Sequence, residues 1–274
     1  ALMATMKNDG SQISKYSPLE GRRQPGEEQC GMHINCCNAN GPRGFALIPK
    51  TACTIKDNHI YLNLYLPLQA TISLNKKNKV HLNVESDYPI HGKVNVNIGV
   101  QKKEKFTLAL RIPTQIEKMK AYINGEEQEI THKGGYLYIE RIWENADKVT
   151  LDFKIETKVV KLNNSQAIVR GPLLFARDSR FNDGDIDECA TIKCNNQGVI
   201  QAKIKKNKTG TFPWITLTVP AVLGTDLENV ENKTPKLINF CDFSSSGNDW
   251  NPNGRYRVWI PQTFHAMSEP YKKY

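Results

Sequence analysis

The stretch KVNVNIGV, at residues 93–100, alternates apolar and polar side chains, and this alternation decides the fold class. Val94, Val96 and Ile98 fall on one side of an extended chain, and the intervening asparagines fall on the other. A repeat of two residues is typical of a β-strand that buries one face. The stretch therefore predicts a half-buried strand.

The same alternation recurs elsewhere, in residues 60–66, 106–112 and 149–155. Asn124-Gly125 and Gly134-Gly135 lie between such runs, and both pairs are typical of tight hairpin turns. Several short strands joined by turns, without a long helical pattern, favour two packed antiparallel sheets. We therefore predict a mainly β fold built as an antiparallel β-sandwich.

The composition along the chain predicts three segments. Residues 1–50 are rich in Gly and Pro and contain short helical segments and loops. Residues 51–177 hold the alternating runs and form the β-sandwich. Residues 178–274 form a second small β-region or an extension of the sandwich.

Three local predictions complete this outline. A short helix opens at Gly41 and stops at Pro49. Residues 167–176 form one strand with a Gly-Pro break. Residues 225–254 are polar and rich in Gly and Asn, which predicts a long exposed loop.

Length, composition and charge exclude several classes of protein. The chain has 274 residues, 39% of them hydrophobic, and a formal net charge of +9. That length is enough for a hydrophobic core, and no window is apolar enough for a membrane helix. The lysine pairs lie at turns and termini, so we expect solvated surface and no nucleic-acid partner. An acidic polysaccharide is compatible with the charge.

The first residues, Ala-Leu-Met-Ala-Thr-Met, fit the end of a helix and have no signal-peptide pattern. We expect that helix to begin outside this sequence. The compartment is left open, with bacterial periplasm and cytoplasm both allowed, and so is the oligomeric state.

The densest group of reactive side chains lies in residues 27–38, where thiols, carboxylates and an imidazole occur together. Zinc binds these three ligand types, and two thiolates from one turn, such as Cys36 and Cys37, can bind one soft metal ion. A cysteine thiolate is also a candidate nucleophile. A loop of inert cysteines explains the pattern equally well. The odd count of seven cysteines argues against a disulfide framework.

An ordered set of motifs surrounds this group of residues. The motifs are Asp9-Gly10, Tyr16–Gly21, Cys36–Asn40 with Arg43, Ile60–Pro67, Glu85–Pro89, Leu110–Pro113, Asn124-Gly125 and Arg170–Leu173. As an ordered series from residue 1 to about residue 177, they resemble glycoside hydrolase family 127, the β-L-arabinofuranosidase-like family. The segment from Cys36 to Arg43 is similar to its Cys-Cys-Pro-Pro-Asn…Arg motif.

The resemblance implies a retaining glycosidase that acts on terminal β-L-arabinofuranosyl or related plant-polysaccharide linkages. Cys36 would be the nucleophile and would form a thioglycosyl intermediate. Cys36 and Cys37 would both bind zinc. Residues 1–50 would be the end of an (α/α)-barrel catalytic domain, and the carbohydrate substrate would be the partner, without nucleic acid or membrane.

Two departures from the family pattern matter. Asn38-Ala39 stands where the family has Pro-Pro, which implies a divergent branch. The family's general acid/base glutamate and its Glu-x-Cys zinc ligands lie upstream of the matched segment, so we expect this chain alone to be inactive. Glu28 and Cys30 look like such a pair but lie close to Cys36. With His33 they are second-rank candidates for the metal or the site loop.

Two alternatives to the enzyme stay open. One is a non-catalytic carbohydrate-binding or structural β-sandwich, in which Tyr61, Tyr65 or Trp250 stacks on sugars, although packing is the expected role of each. The other is a small zinc-binding structural module whose cysteines never react.

Overall fold

The computed structural model describes residues 2–31, 36–74, 78–208, 212–224 and 234–262. Helical segments are short. They are the 3-10 helices Leu2–Thr5 and Ser179–Phe181 and the α-helices α1 (Gly26–Cys30), α2 (Cys36–Ala46) and α3 (Ile48–Thr51).

Strands make up most of the regular structure, which confirms the predicted β class. In chain order they are β1 (Glu20–Gly21), β2 (Cys53–Lys56), β3 (His59–Leu62), β4 (Leu68–Ser73), β5 (Lys79–Ser86), β6 (Lys93–Val100), β7 (Glu104–Arg111), β8 (Met119–Ile123), β9 (Glu126–Gln128), β10 (His132–Lys133), β11 (Tyr136–Trp143), β12 (Asp147–Phe153), β13 (Thr157–Leu162), β14 (Ser165–Arg170), β15 (Leu173–Asp178), β16 (Ala190–Ile192), β17 (Lys203–Lys206), β18 (Ile215–Leu223), β19 (Lys236–Asp242), β20 (Tyr256–Arg257) and β21 (Ile260–Pro261).

The chain divides into two compact units. Unit 2, Arg43–Ile155, contains a five-stranded sheet in the order β10-β11-β7-β3-β2 and a six-stranded sheet in the order β4-β5-β6-β12-β8-β9. The apolar residues of both sheets share one core. Val94, Val96 and Ile98 of β6 lie in that core, as their alternation predicts. Unit 2 is therefore a β-sandwich.

The turns of unit 2 follow the predicted chemistry. Asn124 and Gly125 have φ values of 51° and 92°, and Gly134 and Gly135 have values of 59° and 79°. Positive φ at both central residues defines the type I′ hairpin turn. The strand pairs of unit 2 are antiparallel except β3 with β7, which run parallel. That pair departs from the predicted all-antiparallel arrangement.

Unit 1 combines residues 1–42 with residues 156–274. Its sheet has the order β1-β20-β15-β19-β18-β16; β14 pairs with β13, β15 and β21, and β17 pairs with β18. The short strand β1 pairs with β20, so the beginning of the chain contributes an edge to this sheet.

The compact units divide the chain elsewhere than the predicted segments 1–50, 51–177 and 178–274. Residues 156–177 lie in unit 1 because β13, β14 and β15 pair with one another and with β19, β20 and β21. The assignment of residues 1–50 to a barrel stays a prediction.

All three local predictions need correction. Helix α2 begins at Cys36, not Gly41, and Pro49 lies in the first turn of α3, where its missing N–H costs nothing. Residues 167–176 are two strands, β14 and β15, which pair as a hairpin. In the predicted loop 225–254, β19 is a central strand of the sheet between β15 and β18.

Candidate functional site

The structure places the predicted site residues on two short helices. Cys36 is the first residue of α2 and its thiol is exposed, whereas Cys37 is half-buried. Glu28 is an exposed residue of α1, and Cys30 is the last residue of that helix. His33 lies outside the described residues.

Asn38 and Gly41 attach α2 to the first part of the chain. The side-chain oxygen Oδ1 of Asn38 accepts a hydrogen bond of 2.6 Å from the backbone N–H of Ile13. Gly41 is the buried residue of α2, and a Cβ atom added there would lie 2.1 Å from Cδ1 of Ile13. Glycine therefore allows the helix to approach Ile13 more closely than any other residue would.

Gln29 attaches α1 to the neighbouring residues of the same segment. Its side-chain oxygen accepts hydrogen bonds from the backbone N–H groups of Lys15 and Tyr16, at 2.7 and 2.9 Å. Its side-chain nitrogen donates to the carbonyl oxygen of Tyr16, at 3.1 Å. Residues 13–16 therefore form hydrogen bonds with both α1 and α2, and these contacts fix the positions of the two helices.

Arg23, a buried arginine between residues 13–16 and α1, attaches this part of the chain to the sheet of unit 1. Arg23 is buried, and its guanidinium donates to the backbone carbonyls of Phe243 and Ser246 and to the hydroxyl of Ser246. It also lies about 5 Å from the ring centres of Phe243 (5.0 Å) and Tyr256 (5.1 Å). Burial lowers the pKa of Arg23, but the group stays charged because its ordinary pKa is so high.

The thiols of the described residues differ in exposure. Cys36 and Cys194 are exposed, and Cys241 is buried. Burial raises the pKa of Cys53 to about 11 and that of Cys241 well above its usual range, so both stay protonated at neutral pH. Cys36 is thus one of two exposed cysteines among the described residues.

Zinc fits this part of the chain only in part. Cys36 and Cys37 offer two adjacent sulfur ligands, and structural zinc sites take four ligands. Within the residues that the structure describes, no three His, Cys, Asp or Glu side chains come together in a way that could hold a metal ion. Among the second-rank candidates only the side chain of Glu28 lies within the described part of the chain, and no such group includes it.

Sequence reasoning missed the residues that position the cysteines. Asn38 counted only as a departure from a motif, yet its side chain fixes α2. Gln29 and Arg23 carried no recognisable pattern, because their partners are backbone groups distant in sequence. Gly41 counted only as the start of a short helix, and its close neighbour Ile13 could not be identified.

The candidate sugar-stacking residues have different environments. Tyr65 is 4% exposed, packs against Tyr88 and Phe153, and donates its hydroxyl hydrogen to the carbonyl of Arg111, so it has a structural role. Trp250 is half-buried in unit 1. Tyr61 is half-buried on the outer face of the five-stranded sheet, among other aromatic rings.

Comparison with protein families and solved structures points to the same family as the sequence motifs. Residues 59–155 match the family model described as the middle domain of β-L-arabinofuranosidase, GH127. No curated protein sequence matches the chain. No helix among the described residues has the length and apolar character needed to span a bilayer.

Three solved structures resemble the chain over nearly its whole length. A GH127 β-L-arabinofuranosidase from Geobacillus stearothermophilus T6 has a TM-score of 0.73 at 21% identity, over 95% of this chain and 44% of that one. A protein named only as a glycoside hydrolase has a TM-score of 0.71 at 22% identity, over 96% and 46%. A GH127 β-arabinofuranosidase has a TM-score of 0.71 at 21% identity, over 95% and 43%.

The chain therefore has the fold of one part of each of these structures, and that part is a little under half of each matched chain. At such identities the likeness establishes the fold, and the family model adds sequence similarity over the sandwich. The resemblance to glycoside hydrolase family 127 is confirmed to that extent.

Proposed function

We propose that the protein is a retaining glycoside hydrolase that acts on terminal β-L-arabinofuranosyl or related plant-polysaccharide linkages, with Cys36 as its nucleophile. The sandwich matches the family model, and two of the similar structures are named as β-L-arabinofuranosidase or β-arabinofuranosidase. One observation carries the proposal: Cys36 presents an exposed thiol at the first residue of α2 in a chain of this fold.

The proposed reaction has two displacement steps. The sulfur of Cys36 attacks the anomeric carbon, the S–C bond forms, and the electron pair of the breaking C–O bond goes to the leaving oxygen, which takes a proton from a general acid. Water then attacks the same carbon and gives its proton to the conjugate base of that acid, the C–S bond breaks, and the thiolate returns. Two inversions give net retention, as in retaining glycosidases that use a carboxylate.

The role of α2 in this reaction is to hold the nucleophile. The first-turn N–H groups of a helix carry partial positive charge, and negative charge on a sulfur at that end is favoured. The contacts of Asn38 and Gly41 with Ile13 fix the helix in place. The attacking atom is therefore held by a few specific contacts rather than by a large apolar surface.

We also propose that Cys36 and Cys37 bind zinc, with Glu28, Cys30 and His33 as second-rank ligands. Bound zinc would keep the nucleophile as a thiolate. The described residues supply only the cysteine pair, so no step of the reaction is assigned to the metal.

The test is hydrolysis by the protein expressed at the full length that its gene encodes. We expect release of L-arabinose from an aryl β-L-arabinofuranoside, and a loss of about 10³-fold or more in kcat for Cys36→Ser. Cys194→Ser, which changes the other exposed thiol, should leave kcat unchanged. Equal activity of both variants would exclude Cys36 as the nucleophile.

A second readout separates the enzyme from the two alternatives. Iodoacetamide should label Cys36 faster than Cys194, and added zinc should slow the labelling of Cys36 but not that of Cys194. Equal rates at both thiols, unaffected by zinc, would favour a carbohydrate-binding or structural sandwich. Tight zinc without fast labelling would favour a structural zinc module.

A further inference from the structure

The outer face of the five-stranded sheet carries aromatic side chains where a solvent-facing sheet usually carries polar ones. His59 and Tyr61 of β3 and Tyr136 and Tyr138 of β11 project there, alternating with core residues such as Leu137. We call these four residues the tyrosine face. Tyr138 is 37% exposed and the other three are half-buried.

The rings of the tyrosine face form one contiguous cluster. Ring centres are 5.4 Å apart for Tyr61 and Tyr136, 6.2 Å for Tyr136 and Tyr138, and 6.1 Å for His59 and Tyr61. Ala109, on the central strand β7, pairs with both Tyr61 and Tyr138 and is fully buried. The rings therefore cover a small residue and leave their own outer edges and faces to solvent.

Hydrogen bonds hold the tyrosine face in one arrangement. The hydroxyl of Tyr136 donates to Oδ1 of Asn63 at 2.7 Å, and the amide of Asn63 donates to the carbonyl of Thr51 at 2.8 Å. An aromatic surface whose rings are already fixed loses little entropy when a ligand binds.

Positive side chains surround the tyrosine face. Lys56 pairs with His59 across the strands, and Arg111 and Lys133 both pair with Tyr136, so all three lie on the same outer face. Of the nearby carboxylates, Glu140 is engaged by Lys105 at 2.6 Å. Asp57, in the turn between β2 and β3, is a further carboxylate close to Tyr61. The surface therefore combines stacking rings with three cations, against one nearby acid besides Glu140.

We propose that the tyrosine face binds an acidic oligosaccharide, one whose sugar rings carry uronic-acid carboxylates. The C–H groups of a sugar ring pack on the tyrosine rings, and Lys56, Arg111 and Lys133 pair with the carboxylates. Charge complementarity selects this occupant over a neutral glycan or an apolar partner. The inference rests on the proposed function, because it names the polysaccharide to which this surface would bind the hydrolase.

The test is equilibrium binding of an oligogalacturonic acid and of its fully methyl-esterified form, measured in the Cys36→Ser background by calorimetry. The ester keeps the sugar backbone and removes the charge. We expect the acid to bind at least about tenfold more tightly than the ester at low salt, and the difference to shrink as salt is raised. Because hydrolysis is not measured, failure here leaves the proposed function untouched.

Variants on the two faces of the sandwich assign the site. Tyr138→Ala should weaken binding of the acid about tenfold, and Lys56→Gln should reduce the preference for acid over ester. Tyr122→Ala is the matched control, because Tyr122 is a half-buried tyrosine on the outer face of the other sheet. If Tyr138→Ala does not fold, Tyr61→Leu removes a ring of the tyrosine face while keeping an apolar side chain, and it should likewise weaken binding of the acid.

Three results would overturn the proposal. They are no binding of either oligosaccharide, equal binding of acid and ester, or equal effects of Tyr138→Ala and Tyr122→Ala. The first and third results would leave the tyrosine face with a packing role, and the second would make it a site for neutral glycans.

Discussion

The β-sandwich and the helical segment that carries Cys36 are built on different physical principles. The sandwich buries a continuous apolar core, in which Leu108 and Trp143 are fully inaccessible to solvent. In α2 the buried residue is Gly41, and the segment is held by the side chains of Gln29 and Asn38. The stability of the sandwich is thus spread over many residues, and the position of Cys36 depends on few.

This difference has a functional meaning. The proposed nucleophile must be reachable by substrate, and Cys36 lies on an element with little buried surface, where specific contacts replace burial in fixing the helix. Substitutions in the sandwich core should therefore change the free energy of unfolding. Substitutions at the attachment of α2 should change the chemistry of Cys36 first.

The largest effect is expected in the sandwich core. Leu108→Ala should lower the free energy of unfolding by about 3 kcal/mol, because it removes a fully buried side chain and leaves a cavity. Urea unfolding followed by fluorescence measures this. Ile142→Ala, at a position 58% exposed, should cost less than about 0.5 kcal/mol. Similar costs for both would contradict a sandwich held together by its core.

The next effect is expected where α2 meets Ile13. Gly41→Ala should destabilise the segment by about 2 kcal/mol, since the new Cβ would overlap Cδ1 of Ile13. Ile13→Val removes that atom, so the double variant should recover most of the loss. Hydrogen exchange of the amides of α2 measures the local change. Additive effects of the two substitutions would show that the close approach is not the cause.

The carboxylate of Asp147 contributes to the stability of the sandwich through its charge. Although burial opposes it, hydrogen bonds from the Asn124 amide and the Glu144 backbone N–H, together with Arg141, lower the pKa of this carboxyl. A lowered folded-state pKa stabilises above the unfolded pKa of about 3.9, and the stabilisation is lost as the pH falls through the folded value.

Asp147→Asn should therefore cost about 1.5 kcal/mol at pH 7. The difference from the unchanged protein should disappear as the pH falls below about 4, as measured by urea unfolding across pH. Asp152→Asn, at an exposed position on the same strand, is the control and should cost less than about 0.5 kcal/mol at pH 7. If the cost of Asp147→Asn did not change with pH, the charge of this carboxylate would not be its cause.

The smallest effect is expected at Asn38. Asn38→Ala removes the hydrogen bond to the Ile13 N–H and should cost about 1 kcal/mol locally, without a change in the unfolding of the sandwich. The iodoacetamide labelling rate of Cys37, which is half-buried, should rise in this variant. An unchanged labelling rate would mean that Asn38 does not fix the helix.

The sequence predicted the sandwich well because its signals are local. Alternation in residues 93–100 needs only the chain itself, and Asn124-Gly125 forms the turn that its chemistry favours. Strand β19 was missed, although Leu237 to Cys241 is mostly apolar, because the surrounding polar residues favoured a loop. Tertiary pairing with β15 and β18 decides that strand.

The candidate site was predictable only in part. The cysteine pair could be recognised from its motif, and Cys36 is exposed in the structure. The attachments through Asn38, Gln29 and Arg23 join residues to backbone groups up to 223 positions away, as for Arg23 and Ser246. No periodicity or spacing encodes such partners.

The central claim, that Cys36 is the nucleophile, is tested most directly by mass spectrometry of a trapped intermediate. The full-length protein would be mixed with an aryl β-L-arabinofuranoside, quenched in acid during turnover and digested. We predict that the peptide containing Cys36 gains the mass of one anhydropentose unit, and that the first product keeps the β configuration. An adduct on a carboxylate, or a product of inverted configuration, would contradict the account.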